Sequence, residues 1–220
     1  MIQKIDVKKI ITETGIIPLL TTSDINFVIS LVDIICGSGC RLIEYGLRST
    51  NSLDNYLILK EYIESNYKNV YLGAGSVTEK IIAKKIIDIG TDFIIGPGFS
   101  EEIFKECKKA DILYIPGCAT ATEIIKAKEI GISIFKIFPA KYLGGYQYLK
   151  SLKSALPWLR ALPAGGIKSD PEIIKEWFNA GAEAVTIGSD LFGKYENNDN
   201  LEILRNEFKS LLDEVKKFKS

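Results

Sequence analysis

The sequence predicts an α/β fold closed into a (β/α)8 barrel, because short apolar runs alternate with amphipathic segments along its length. Eight of these runs have strand length and are apolar throughout, which is typical of parallel strands buried on both faces. Eight strand–helix units in 220 residues fit a closed barrel better than an open, doubly wound sheet. The predicted strands are 16–22, 41–48, 69–77, 92–98, 111–117, 133–140, 160–167 and 182–190.

Helix signals between the strands support this pattern. In the segment 78–90, apolar residues recur at three- and four-residue spacing and stop at Gly90, as expected of a helix that ends in glycine. Other glycines stand in the same way just before a predicted strand, which indicates repeated strand–helix units. They are Gly39, Gly131 and Gly181.

The chain is predicted to form one TIM-barrel domain over 1–220, because no segment has the composition of a linker. A short N-terminal helix at 7–14 is expected to cap the bottom of the barrel. The charged, amphipathic segment 201–219 is expected to form the last helix, with its lysines and glutamates on a solvated face.

Composition excludes several classes of function. Lysine plus arginine and aspartate plus glutamate number 28 each, so no net field attracts nucleic acid or an anionic membrane. The absence of histidine removes Ser–His and Cys–His catalysis and the commonest metal ligand. The four cysteines lack the spacing of a zinc site, and no stretch has the length of a membrane span or a signal-peptide core. These features predict a cytoplasmic protein with a small-molecule substrate, without a metal, a membrane or nucleic acid as partner.

Lys136 is the candidate nucleophile, because it interrupts an apolar strand at 133–140. Removing an ammonium from water favours the neutral amine, which can attack a carbonyl and form a Schiff base. The alternatives are a lysine that reaches the rim of the fold or one that pairs with a buried carboxylate.

Other polar residues follow the strands at the end where barrel enzymes hold their active sites. Glu44 and Arg48 lie at the end of 41–48, and Ser76 lies at the end of 69–77. A carboxyl in a pocket of low dielectric can exchange protons near neutral pH, and a guanidinium fits a carboxylate. The alternative is that Glu44 and Lys136 form a structural ion pair, which would need nearly complete hydrogen bonding.

Glycines at the ends of the last two strands suggest an anion site. Gly165 and Gly166 end 160–167, while Gly188 and Ser189 lie near the end of 182–190. Bare backbone at these places can approach phosphate oxygens closely. A tight turn is the alternative, and Asp190 would repel an anion unless it points away or caps a helix.

These motifs resemble the class I aldolases of the 2-keto-3-deoxy-6-phosphogluconate (KDPG) and 4-hydroxy-2-oxoglutarate (KHG) family. The most specific match is Phe-Lys-Ile-Phe-Pro-Ala at 135–140, with a glycine pair at 144–145. Further matches in the same order cover nearly the whole chain. They are Glu44 with Arg48, Gly-Ala-Gly-Ser-Val at 73–77, Pro-Gly at 97–98 and at 116–117, and Gly-Gly-Ile at 165–167.

The resemblance implies a homotrimer that needs no cofactor and cleaves a 2-keto-4-hydroxy acid into pyruvate and an aldehyde. It implies that Lys136 forms the imine and that Glu44 moves protons. Arg48 and Ser76 would hold the carboxylate, and Pro97 and Phe138 would pack near the reacting carbons. The aldehyde would be glyceraldehyde 3-phosphate or glyoxylate, in carbohydrate metabolism.

Two alternatives remain open from the sequence. A cofactor-free sugar-phosphate isomerase or epimerase would share the fold and the phosphate turns without using Lys136 as a nucleophile. A catalytically silent barrel could bind a keto acid or a sugar phosphate. The family commonly has threonine where this chain has Ala164, and this departure is the feature that favours a silent barrel.

Overall fold

Helices and strands alternate along the chain after a first helix. The computed structural model describes residues 6–196 and 200–219. The elements are α1 (Val7–Thr14), β1 (Ile16–Leu20), α2 (Ile25–Gly37), β2 (Leu42–Gly46), α3 (Ser52–Asn66), β3 (Tyr71–Gly75), α4 (Lys80–Ile89), β4 (Phe93–Ile95), α5 (Glu101–Ala110), β5 (Leu113–Ile115), β6 (Gly117–Cys118), α6 (Ala121–Glu129), β7 (Phe135–Ile137), α7 (Gly145–Ala155), β8 (Ala161–Pro163), α8 (Pro171–Asn179), β9 (Val185–Ile187), a 3-10 turn (Phe192–Tyr195) and α9 (Leu201–Lys219).

The strands in these residues form two parallel sheets, so the prediction of one closed eight-stranded barrel is wrong. Six strands form a curled half-barrel in the order β5-β4-β3-β2-β1-β9, and three form a small sheet in the order β6-β7-β8. The chain passes from one sheet to the other at Pro116, which has no N–H to donate to a ladder. Between β8 and the segment before β9, only the isolated bridge Ala161–Ala182 is formed. The result is an open α/β fold.

The local predictions agree better with the structure. Each of the eight predicted strands contains an observed strand, and the helices predicted at 7–14 and 201–219 have the observed bounds of α1 and α9. The glycines predicted to end helical segments all have positive φ, a conformation that side chains rarely adopt. Their φ angles are 83° at Gly39, 96° at Gly90, 106° at Gly131 and 94° at Gly181.

Side chains along each strand point alternately to opposite faces of the sheet, and this divides the core into two clusters. On β2, Ile43 and Tyr45 belong to the large cluster between the sheets and the helices. Leu42 belongs to a smaller cluster that draws on strands of both sheets and on Ile10 and Ile11 of α1. The small cluster fills the interior between the strands with apolar side chains towards their amino-terminal ends, so the space inside the fold that is open to polar groups lies towards the carboxyl ends.

An ion pair reinforces the join between β8 and the segment before β9. Arg160, just before β8, donates from Nε and Nη2 to the two carboxylate oxygens of Glu183 at 2.6 and 2.7 Å. Thr12 of α1 donates to the same carboxylate at 3.0 Å. Partial burial raises the pKa of Glu183, but the hydrogen bonds and charge of Arg160 outweigh it and hold that pKa below its usual value.

We expect Glu183→Gln to lower the free energy of unfolding by about 1–2 kcal/mol at pH 7, because the amide cannot accept both guanidinium bonds. Urea unfolding measures the change. The lowered pKa makes the carboxylate's contribution complete above the unfolded value of about 4.3, and it is lost as the pH falls below that value. The difference between the two proteins should therefore shrink below about pH 4.

Glu13→Gln is the matched control. Glu13 lies 3.7 Å from Lys9 on α1 with both side chains exposed, and such pairs contribute little. Its unfolding free energy should stay within about 0.5 kcal/mol of the wild type. Equal losses in the two variants would show that Arg160 and Glu183 do not hold the join.

Candidate active site

A cavity of about 550 Å³ opens at the carboxyl ends of the strands. It lies at the end opposite the small apolar cluster, and residues from both sheets line it. All the predicted site residues except Glu44 are in its lining. These are Arg48, Ser76, Pro97, Lys136, Phe138, Gly165, Gly166, Gly188 and Ser189.

Lys136 is buried at the centre of this arrangement. It pairs with Gly117 of β6 and Leu162 of β8, and it is 3% exposed. Its neighbours on β7, Phe135 and Ile137, belong to the cluster under the helices, so alternation turns Lys136 to the opposite face. Its Nζ lies 3.6 Å from Oε1 of Glu44 and 5.3 Å from the centre of the Phe138 ring.

Glu44 lies on β2 beside Lys136 and is completely buried. Neither of its carboxylate oxygens accepts a hydrogen bond within the described part of the chain. The neighbouring strand makes room for it, because a Cβ at Gly75 would lie 2.3 Å from Oε1. A buried carboxylate without hydrogen bonds is costly, so this pair lacks the completed bonding that a purely structural ion pair needs.

Arg48 and Ser76 follow β2 and β3 and contact each other. Arg48 Nε donates to Ser76 Oγ at 2.9 Å. Within residues 6–196 and 200–219, Arg48 forms no ion pair with a carboxylate, and its terminal nitrogens make no hydrogen bond. These nitrogens are therefore available to an anion in the cavity.

Backbone without side chains forms another wall of the cavity. Gly165 and Gly166 have φ angles of 90° and 78°, and a Cβ at Gly165 would lie 3.0 Å from the Phe138 ring. Gly188 begins the turn that leads into the 3-10 segment, where Leu191 and Phe192 donate their N–H groups to its carbonyl oxygen. A larger residue at Gly165 would therefore fill the space in front of the Phe138 ring.

Of the two alternatives for Asp190, a helix cap or a carboxylate directed away from the anion site, the structure does not show the cap. Its carboxylate accepts hydrogen bonds from Lys168 Nζ at 2.6 Å and from the backbone and hydroxyl of Ser169 at 2.8 and 2.9 Å. The N-cap of α8 is Asp170 instead. Partial burial raises the pKa of Asp190, but these hydrogen bonds outweigh it and lower the pKa to about 2. Lys168 compensates the negative charge at this wall.

Sequence reasoning missed Thr186, which also lines the cavity. It is 4% exposed, and its hydroxyl has no hydrogen-bond partner among the described residues. Threonine is common in strands, so this residue does not stand out within an apolar run. The available signal is its position two residues before Gly188, which places both on the same face of the strand.

Residues 6–196 and 200–219 contain neither a candidate metal site nor a membrane-spanning helix. No group of three or more histidine, cysteine, aspartate or glutamate side chains lies together so as to hold a metal ion. No helix in that part of the chain is long and apolar enough to cross a membrane.

A buried lysine beside a buried carboxylate, with the terminal nitrogens of a guanidinium facing the same cavity, is an arrangement suited to an enzyme that acts on a carbonyl compound. The family comparison agrees with this class. The family model described as "Aldolase: KDPG and KHG aldolase" matches residues 7–205, and the chain belongs to that family. The predictions of this family and of an aldolase are therefore confirmed.

Curated relatives and solved structures agree with the family. A 2-dehydro-3-deoxy-phosphogluconate aldolase of Treponema pallidum is 31% identical over 152 residues, covering 69% of this chain and 70% of the relative. A KHG/KDPG aldolase of Escherichia coli K12 is 27% identical over 165 residues, covering 74% and 75%. A 4-hydroxy-2-oxoglutarate/2-dehydro-3-deoxyphosphogluconate aldolase from TTHB1 superposes with a TM-score of 0.80 at 28% identity, covering 99% of this chain and 100% of that one.

Proposed function

We propose that this chain cleaves a 2-keto-4-hydroxy acid to pyruvate and an aldehyde through a Schiff base on Lys136. The observation that carries the proposal is the buried Lys136 amine beside an unbonded Glu44 carboxylate in a cavity of substrate size. The substrate is a 2-keto-3-deoxy-6-phospho sugar acid or 4-hydroxy-2-oxoglutarate. The aldehyde product is then glyceraldehyde 3-phosphate or glyoxylate. The names of the relatives support these two substrates.

In the proposed reaction, Lys136 passes its ammonium proton to Glu44 and attacks the C2 carbonyl. Glu44 returns that proton to the carbinolamine hydroxyl, which leaves as water, so that a protonated imine and a Glu44 carboxylate remain. The imine nitrogen accepts the electron pair of the C3–C4 bond as that bond breaks. Glu44, through a water molecule, takes the proton of the C4 hydroxyl, so the aldehyde leaves and an enamine remains. A proton returned to C3 and hydrolysis of the imine release pyruvate and free Lys136.

The other predicted residues take binding roles in this proposal. Arg48 and Ser76 hold the carboxylate next to the keto group, because Arg48 carries an uncompensated charge at that wall. Pro97 and Phe138 pack against the reacting carbons. Gly165, Gly166, Gly188 and Ser189 take the distal end of the substrate, and Lys168 offsets the charge of Asp190 there.

The geometry and the family favour the aldolase over its rivals. A structural ion pair would need the hydrogen bonds that Glu44 lacks. An isomerase or epimerase would not need Lys136 as a nucleophile, whereas the family to which the chain belongs consists of aldolases. A silent binding protein would gain nothing from the cost of burying Glu44 unbonded.

We expect pyruvate and borohydride to attach one adduct to the peptide that contains Lys136, because reduction converts an imine into a stable secondary amine. Lys136→Arg and Lys136→Ala should lose both the adduct and turnover, since neither side chain can form the imine. Intact mass and peptide mapping measure the adduct.

Lys126→Arg is the control, because Lys126 is exposed on α6, outside the cavity. It should keep the adduct and the full rate. Circular dichroism checks that each variant is folded. Cleavage that persists in folded Lys136→Arg would rule out the Schiff-base mechanism.

We expect Glu44→Gln to lower kcat by about two to four orders of magnitude while the borohydride adduct still forms. Glutamine has nearly the same volume but cannot take up or return a proton. The exposed Glu64, which pairs with Lys60 at 3.3 Å, provides the control Glu64→Gln with an unchanged rate. A full rate in Glu44→Gln would show that Glu44 only balances the charge of Lys136.

We also propose that the chain acts in the cytoplasm as a homotrimer of one-domain subunits. The four cysteines are free thiols, as expected in a reducing compartment. Large apolar side chains lie exposed on α3 and α4, among them Leu57, Ile58 and Ile81, and contact between subunits would cover such surfaces. Light scattering during size-exclusion chromatography should give three times the chain mass, whereas a monomer would contradict the trimer.

A further inference from the structure

Thr186 carries a polar group that the protein itself leaves unused. Thr186 is 4% exposed, and its hydroxyl is buried without a hydrogen-bond partner among the described residues. Among the described residues, three buried side-chain oxygens have no hydrogen-bond partner, namely the two carboxylate oxygens of Glu44 and Oγ1 of Thr186. Leaving a buried hydroxyl unbonded destabilises a protein, whereas valine of nearly the same shape would carry no such cost.

Thr91, another buried threonine, differs from Thr186 in its hydrogen bonding. Thr91 is 2% exposed, and its hydroxyl donates to the carbonyl of Phe93 at 2.9 Å and accepts from Tyr56 at 2.7 Å. Thr91 is therefore satisfied by the protein, and it lies outside the cavity of Lys136. The contrast indicates that the hydroxyl of Thr186 is completed by something that enters the cavity.

The position of Thr186 indicates which part of a ligand it meets. Thr186 lies on β9, the edge strand of the larger sheet, where it pairs with Ile17 of β1. The chain leads directly from β9 to Gly188 and Ser189. Arg48 and Ser76 follow β2 and β3, which lie two and three strands away from β9. Thr186 therefore belongs to the wall that faces the distal part of a keto acid whose carboxylate lies at Arg48.

We propose that the Thr186 hydroxyl hydrogen-bonds the C4 oxygen of the substrate, the atom that becomes the aldehyde oxygen. This inference rests on the proposed aldolase function. C4 is the first carbon beyond the bond that breaks, so its oxygen lies between Lys136 and the glycine wall. A hydroxyl donor there stabilises the charge that develops on this oxygen as its proton moves to Glu44. Thr186 is thus a residue that selects for a hydroxyl or aldehyde at this place.

Thr186→Val tests the proposal by separating the two halves of the reaction. Condensation of pyruvate with glyoxylate and with glyceraldehyde 3-phosphate should lose about tenfold to a hundredfold in kcat/KM for the aldehyde, in whichever pair the wild type turns over. Exchange of the pyruvate methyl protons in D2O, followed by NMR, needs no aldehyde and should change by less than about twofold. Thr186→Ser should recover most of the condensation rate, because it restores the hydroxyl.

Thermal unfolding of the free protein gives an independent readout. Thr186→Val should have an equal or higher Tm, because it removes an unbonded hydroxyl. The control Thr91→Val should have a lower Tm, because it breaks satisfied hydrogen bonds, while its condensation and exchange rates stay unchanged.

Two results would overturn the role of Thr186. A lower Tm in Thr186→Val would show that the protein already satisfies the hydroxyl, and an equal loss of exchange and condensation would place it at the imine or at the proton transfers. Absence of both pyruvate exchange and the borohydride adduct in the wild type would instead overturn the aldolase proposal itself. The two failures are therefore distinguishable.

Discussion

The contact between Lys136 and Glu44 makes the strictest demand on this structure, because it places opposite charges 3.6 Å apart where neither side chain is more than 4% exposed. Desolvation of such a pair can exceed the attraction unless hydrogen bonds complete both groups. Glu44 has no such bonds within the described residues. The pair also joins β2 of the large sheet to β7 of the small one, so both sheets must be held in place. The apolar cluster below it, which includes Leu42 and Leu162, supplies favourable burial that offsets this cost.

Two glycines on β3, Gly73 and Gly75, create space for the site. A Cβ at Gly75 would lie 2.3 Å from Glu44 Oε1, and a Cβ at Gly73 would lie 2.0 Å from the Phe93 ring. These two glycines point to the same face two residues apart, so they form a groove into which the neighbouring strands insert a carboxylate and an aromatic ring. The glycine pair after β8 serves the opposite wall, where Gly165 leaves room for Phe138. Close approach, rather than turn formation alone, explains these glycines.

Local features could be predicted from the sequence, whereas pairing between distant segments could not. Lys136 stands out because one charge interrupts an apolar strand, and Gly90 marks a helix end by its own conformational freedom. The division into two sheets depends on the pairing partners of the strands on either side of Pro116, since β5 pairs in the large sheet and β6 in the small one. The pattern of apolar residues in a strand does not identify its partner. Asp190 pairs with Lys168, which lies 22 residues away in the sequence, and no local pattern indicates that contact. Thr186 differs from a packing residue only by a missing hydrogen bond, which no sequence pattern displays.

The charges around the cavity also determine how a keto acid can lie in it. Arg48 has no carboxylate partner among the described residues, so its end of the cavity attracts a carboxylate. The opposite end includes Asp190, whose pKa of about 2 keeps it ionised at every physiological pH, with Lys168 balancing rather than reversing its charge. A keto acid bound in reverse would place its carboxylate beside Asp190 and leave Arg48 unpaired. In the proposed reaction, the forward orientation brings the keto carbon towards Lys136 and the bond to be broken towards β9. The charge pattern therefore favours the orientation that the proposed mechanism needs, in which an imine on Lys136 can accept electrons from that bond.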